Sequence, residues 1–278
     1  MKNITFIVVF FSLLKRIFED SKVSFLGTLF LMTNYAPISF GMAYMMDIGG
    51  WFFYIASLYF SYRYLEAEEA EDKWLYISAF MIGIGGLYKE YAFVAYIITF
   101  GLLVFRNWKN WKAIIWKTFL TLLLALGPFA LMNVYTYFNF HGYTYLDWFL
   151  HNQHSYTYQN RLVEFIKSFG SIYHIAWPLF LGGALILIKK IREIFETKNI
   201  DKSVLFISLI LLSSFSVLLW PVVTRVLFIT MPGIILVSTF YLQRIKDKNY
   251  ILIPLLLVYT FISFLMDAFI LDFVNLPS

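Results

Sequence analysis

One apolar segment follows another along this chain. By length and hydropathy they cover approximately residues 3–14, 23–40, 48–62, 74–88, 91–105, 113–135, 171–188, 203–219, 226–242 and 250–271. Most run about 15 to 22 residues, the length that crosses a hydrocarbon core of roughly 30 Å. Inside a bilayer no water is available to unpaired backbone N–H and C=O groups, so such segments must close their hydrogen bonds as helices. The composition agrees: of 278 residues 60% are hydrophobic, 21% aromatic and 14% charged, and the mean hydropathy is +0.71. A water-soluble globule of this length needs a more polar surface. The expected fold class is therefore all-α, a polytopic, multi-pass protein of the cell membrane with about ten hydrophobic segments. Residues 1–278 read as a single transmembrane domain.

The loops alternate in charge. LKRIFEDSK, RYLEAEEAEDK, RNWKNWK, KKIREIFETKNIDK and QRIKDKN fall on one side of the membrane. NYAPISFGMAYMMD, LYKE, a long 137–170 loop and LWPVVTR fall on the other. Of the 22 Lys and Arg, five (Lys2, Lys89, Arg161, Lys167, Arg225) lie on the second side and the other 17 on the first. Basic residues gather on cytoplasmic loops, so the first side is expected to be cytoplasmic and both termini extracytoplasmic. The net charge of +5 is written in these clusters and calls for no nucleic-acid partner. The opening MKNITFIVVFFSLL is followed by KRIFED rather than a small-residue cleavage site, and reads as mature chain. Its apolar part, about 12 residues, is too short to cross at 1.5 Å per residue. It reads as a re-entrant piece or as the remainder of a longer helix.

With no cysteine there is no disulfide framework and no thiol chemistry. No Walker loop, GxGxxG, HExxH or Ser-His-Asp signature is present. The ionisable groups that are not cytoplasmic anchors collect instead on the second side. Asp47 stands in AYMMDIGGWFF, and Lys89 and Glu90 occupy a minimal turn. Asp147, His151, His154 and Arg161 come from the 137–170 loop, whose aromatic, amphipathic texture predicts short interfacial helices. Arg225 precedes the ninth segment. Charges near a membrane are retained mostly where they pair, line water or act on a substrate. Together these resemble a site for an anionic lipid headgroup, in which cations hold a phosphate and a carboxylate moves a proton. Each residue also has a plainer reading. Asp47 would cap the third segment's helix, Lys89 and Glu90 would mark the interface, and Arg225 would be one more anchor. His151 and His154, spaced i, i+3, share a helix face and suit a divalent cation, or are ordinary hydrogen-bonding residues.

The order of features resembles the GT-C class of integral-membrane glycosyltransferases. NYAPISFGMAYMMDIGGWFFYIASLYFSYRYL is similar to that class's segment with a Pro-containing outer end, an Asp and an aromatic-rich helix ending in Tyr/Arg. WLYISAFMIGIGGLYKEYAFVAYIITFGLLVF resembles its next hairpin. YLDWFLHNQHSYTYQNRL and TRVLFITMPGIILVSTFYL resemble its external segment and a late helix that opens on a basic residue. The relatives it resembles are aminoarabinose lipid A transferases and protein O-mannosyltransferases. The resemblance implies a GT-C-like helical bundle that moves a sugar from a polyprenyl- or dolichyl-phosphate donor to a protein or glycolipid acceptor, on the extracytoplasmic face and with inversion. It implies Asp47 near donor or acceptor as the candidate catalytic residue. Lys89, Arg161 and Arg225 would bind the lipid phosphate, Glu90 and Asp147 are further candidates, and His151 or His154 would contact metal or phosphate. The class's principal catalytic Asp sits in a large first external loop that has no counterpart here. The chain is accordingly expected to be a truncated product, half of a split enzyme or an inactive relative. Two other classes stay open: a non-catalytic membrane subunit, and a transporter or flippase of lipid-linked sugars. The latter would want charges near the midplane and repeated halves.

Overall fold

The computed structural model describes residues 2–37, 45–67, 71–140, 142, 144, 147, 151, 170–216 and 228–274. Side chains are given from residue 5 in the first helix, from 48 in the third and to 266 in the last. Among the described residues there are ten α-helices and no strand: α1 (Lys2–Phe18), α2 (Ser21–Met32), α3 (Met45–Glu66), α4 (Lys73–Tyr88), α5 (Val94–Asn107), α6 (Trp111–Asn139), α7 (Trp177–Thr197), α8 (Lys202–Ser214), α9 (Met231–Ile245) and α10 (Asn249–Val274). Each of the ten expected apolar segments overlaps one helix. Five stretches are long and apolar enough to cross a membrane by length and composition: Glu90–Asn107, Trp111–Asn139, His174–Thr197, Phe228–Ile245 and Asn249–Met266. α2 and α8 are apolar but shorter.

Helix boundaries follow local chemistry. Asp20 caps α2 by accepting from the N–H groups of Lys22 and Val23, and Asp201 caps α8 through Ser203 and Val204. α1 is longer than its 12-residue apolar run because helical hydrogen bonding continues through Lys15 and Arg16, which hydropathy reads as an end. α2 is shorter than its run, stopping at Met32. There Asn34, fully buried, turns its side chain to tertiary partners. Its amide donates to the Ile172 carbonyl at 2.6 Å and the Tyr259 hydroxyl at 2.8 Å, and its Oδ1 accepts from the Ala36 N–H at 3.0 Å.

α9 is the centre of the bundle: 83% of its apolar stretch is buried, against 11% for α6, which lies at the periphery. α7 lies close against α9 because Gly183 faces the Val237 carbonyl and Gly182 faces the Tyr241 ring, where a Cβ would collide. On the other side α1, α3, α4 and α6 pack in succession, with α5 filling behind α3 and α4. Three buried hydroxyls tie α3, α4 and α5 together: Ser61, Ser78 and Thr99 lie 2.9 to 3.1 Å from one another. Among the described residues the fully buried polar side chains are all uncharged. A neutral hydroxyl can discharge its hydrogen bonds onto a neighbour or the helix backbone, whereas a lone buried charge cannot.

The five charged loops meet at one end. Arg16 pairs with Glu66 across the α1–α2 and α3–α4 loops. Lys246 reaches Asp20 at 2.6 Å and Lys22 reaches Asp247 at 3.3 Å, joining the α9–α10 loop to the α1–α2 loop. Lys117 holds Asp72 at 2.8 Å, and the Tyr62 and Ser203 hydroxyls are 3.0 Å apart. The alternation read from the sequence is thus a physical separation of the bundle into two ends.

Candidate functional site at the sparsely charged end

The opposite end is built around a corner. Lys89 is extended (φ −155°, ψ 129°) between α4 and a 3-10 turn over Glu90–Phe93, and its N–H still donates to the Gly85 carbonyl. The first turns of α3 lie directly against this corner. Gly50 faces the Lys89 Cβ, where an added Cβ would sit 2.8 Å away, and also the Tyr91 hydroxyl at 3.0 Å; Gly49 faces the Tyr88 ring. Two consecutive glycines are what let a helix start approach another helix's end so closely. Beside the corner is a groove of about 250 Å³, apolar and lined by Thr5, Ile48, Gly49, Phe52, Phe53 and Tyr88. Phe53 stacks on Tyr88 with ring centroids 5.5 Å apart. The groove is bracketed in sequence by Asp47, next to Ile48, and by Lys89, next to Tyr88.

Asp47 is the third residue of α3, inside the helix as described rather than ahead of it, and its side chain lies outside the description. Four residues on, and so on the same helix face, Trp51 is buried against Phe228 at 4.2 Å. Its indole N–H has no hydrogen-bond partner among the described residues. Lys89 and Glu90 are half-buried. The structure therefore brings the first turns of α3, which carry Asp47, against the corner that carries Lys89 and Glu90. Asp147 is exposed and engaged locally. Thr144 donates to its Oδ2 from both hydroxyl (2.6 Å) and N–H (2.9 Å), and the Asp147 N–H returns a bond to the Thr144 hydroxyl at 3.1 Å. This reciprocal arrangement is a capping box. The Thr144 hydroxyl, with the N–H second, holds the Asp147 carboxyl below its usual range. His151 is exposed and helical. Arg161, Arg225 and His154 lie outside the described residues, as does most of the 137–170 loop. Among the described residues no three His, Asp or Glu side chains gather as a metal site would need.

The sequence carried no sign of a second polar cluster behind this end. His174, with φ 25°, is stacked on Tyr259 at 4.2 Å and shares a 3.0 Å hydrogen bond with Ser263. Tyr259 accepts from Asn34 and packs edge-on against Phe30 and Tyr173. These residues pin α2, the turn before α7 and α10 together. They are scattered singly through apolar text, so only their meeting reveals them. Thr5 and Tyr88, which line the groove, were likewise unmarked.

Helices fit to cross a bilayer, buried side chains that among the described residues carry no charge, and a charged end set against a sparsely charged one define a polytopic membrane protein. Residues 2–134 match the family described as dolichyl-phosphate-mannose-protein mannosyltransferase. The first half of this chain is thus similar to that membrane glycosyltransferase family, and the matched stretch contains Asp47, Lys89, Glu90 and the whole groove. The segments YLDWFLHNQHSYTYQNRL and TRVLFITMPGIILVSTFYL fall beyond it. No curated protein and no solved structure matches the chain.

Proposed function

We propose that this protein is a membrane glycosyltransferase that moves a sugar from a polyprenyl- or dolichyl-phosphate donor to a protein or glycolipid acceptor at the sparsely charged end of its bundle. That end is extracytoplasmic, and both termini lie on the same side. The observation that carries the reading is the corner itself: a carboxylate-bearing helix start and a lysine-bearing helix end, side by side next to an apolar groove. A lipid-phosphate sugar has the matching parts, an apolar tail, an anionic phosphate and a polar sugar. The groove takes the tail's first units, and the bilayer takes the rest. Only the headgroup must then be oriented, which is a proximity gain.

The chemistry needs two charges. As the acceptor hydroxyl oxygen bonds to the anomeric carbon, its proton passes to the Asp47 carboxylate. The bond from that carbon to the phosphate oxygen breaks, and its electron pair leaves with the lipid phosphate. Lys89, with Arg225 and Arg161, neutralises the charge that builds there. The Trp51 N–H is a further donor within one helical turn of Asp47. Glu90 is the alternative carboxylate at the corner, while Asp147 is committed to its own turn. Among the described residues the buried polar side chains are all uncharged, which favours this reading over a transporter that would use charge at the midplane.

The test is Asp47→Asn, which keeps shape and removes the base. Glycan product in cells should vanish while the protein level stays unchanged. Normal product with the Asn variant would overturn the assignment.

A further inference from the structure

A proline divides α6. Pro128 lies inside the helix and has no N–H, so the Leu124 carbonyl loses its helical partner. Toward the charged end, α6 is clamped to α4 at this point. Gly83 faces the Leu124 and Ala125 carbonyls and the Pro128 ring, where a Cβ would collide. A glycine there lets the freed carbonyl lie against a neighbouring helix rather than against lipid. Toward the sparsely charged end the helix is bare. Leu131 is 72% exposed and Phe138 78%, and Met132, Val134, Tyr135 and Tyr137 between them are exposed too. Where a helix bends, an interior proline is the usual cause.

The residue after the proline touches the transferase corner. Phe129 meets Phe93 edge-on, with ring centroids 5.7 Å apart. Phe93 closes the 3-10 turn Glu90–Phe93 that follows Lys89. Its ring lies against Gly86 of α4, where an added Cβ would collide. Pressed there already, the ring has little room to absorb a displacement of Phe129, which passes on to the turn.

We propose that residues 129–139 of α6 form a lever that pivots at Pro128 and adjusts the corner through Phe129 and Phe93. The proposal rests on the corner being the donor site. Because lever and corner are packed together, occupancy of one and position of the other are linked in both directions.

The chain has no cysteine, so cysteine pairs introduced into the full-length protein can be spin-labelled without background, and their separation read by pulsed EPR in nanodiscs. One pair is Phe138→Cys with Leu185→Cys, the latter an exposed position on α7. The reference pair is Leu123→Cys, on the clamped half of α6, with Leu185→Cys. Phe138 lies about 15 Å beyond Pro128 at 1.5 Å per residue, so a swing of about 20° moves it roughly 5 Å. Farnesyl phosphate should shift the Phe138–Leu185 separation by about that much and leave Leu123–Leu185 unchanged. Pro128→Ala restores the N–H. It should narrow the Phe138–Leu185 distribution, remove its response to farnesyl phosphate and raise the thermal unfolding midpoint. Phe129→Ala should keep the pivot and lose the response. Farnesyl phosphate that binds, by native mass spectrometry, without moving Phe138 would overturn the lever. So would an equal shift in both pairs, or a full shift in Pro128→Ala. Farnesyl phosphate that does not bind at all would overturn the donor-site reading instead, and narrowing in Pro128→Ala would still decide whether the pivot exists.

Discussion

Gly50→Ala tests whether the corner must be as close as it is. The new Cβ would lie 2.8 Å from the Lys89 Cβ and 3.0 Å from the Tyr91 hydroxyl, while ordinary contact begins at 3.4 Å. A Cβ bonded to the backbone cannot swing aside, so α4's end must retreat from α3 by about half an ångström. Overpacking of this kind costs about 1–3 kcal/mol. Replacing a helical glycine by alanine returns about 1 kcal/mol in propensity, so the net change in stability should stay within about 2 kcal/mol. Activity is more exposed, because a misplacement on the order of 1 Å can cost about a hundredfold in rate. We expect transfer to fall roughly 10- to 100-fold, with thermal unfolding in detergent shifted by only a few degrees. Gly127→Ala is the comparison: nothing lies within 4 Å of its added Cβ, so it should be neutral or slightly stabilising and fully active. Full activity in Gly50→Ala would refute the argument that the Lys89 corner and the start of α3 form one site.

Asn34→Ala removes three hydrogen bonds at a fully buried position and should cost about 3 kcal/mol at roughly 1 kcal/mol each; thermal unfolding of the purified protein checks it, and an unchanged midpoint would contradict it. Asp20→Asn keeps the α2 cap but removes the charge facing Lys246. The hydrogen bond from Lys246, then the N–H of Val23, lowers the Asp20 carboxyl below its ordinary value of 3.8. Its contribution is therefore complete above that value and is lost as pH falls through the lowered folded-state value. The wild type should melt above the variant near neutral pH, by a margin kept small because the pair is partly exposed, and the two should converge in acid.

The helical architecture was legible because a bilayer forces apolar runs of this length into helices: each of the ten runs overlaps a helix, and five stretches are long and apolar enough to cross. What hydropathy could not set was where each helix stops. α1 runs on through Lys15 and Arg16 because a charge can leave the bilayer without leaving the helix. α2 ends early because Asn34 has two tertiary partners, Ile172 and Tyr259, that no local pattern reveals. The division of the bundle into a charged and a sparse end was also legible, since each loop's charge is local text. The approach of Gly49 and Gly50 to Tyr88 and Lys89 was not. Two glycines near an acid read as a cap or a turn, and only packing shows what they make room for. The same holds for Lys117, which lies in an apolar run and gives no hint that it pairs with Asp72 across 45 residues.

The central claim is that the lipid phosphate docks where α3 begins and α4 ends. A photoreactive polyprenyl-phosphate analogue, cross-linked to the full chain and mapped by peptide mass spectrometry, tests it most directly. Adducts should fall within residues 47–53 and 88–91 and should drop in the Lys89→Gln variant. Adducts that instead gather at Arg106 and Lys117, or that are indifferent to Lys89, would contradict the account.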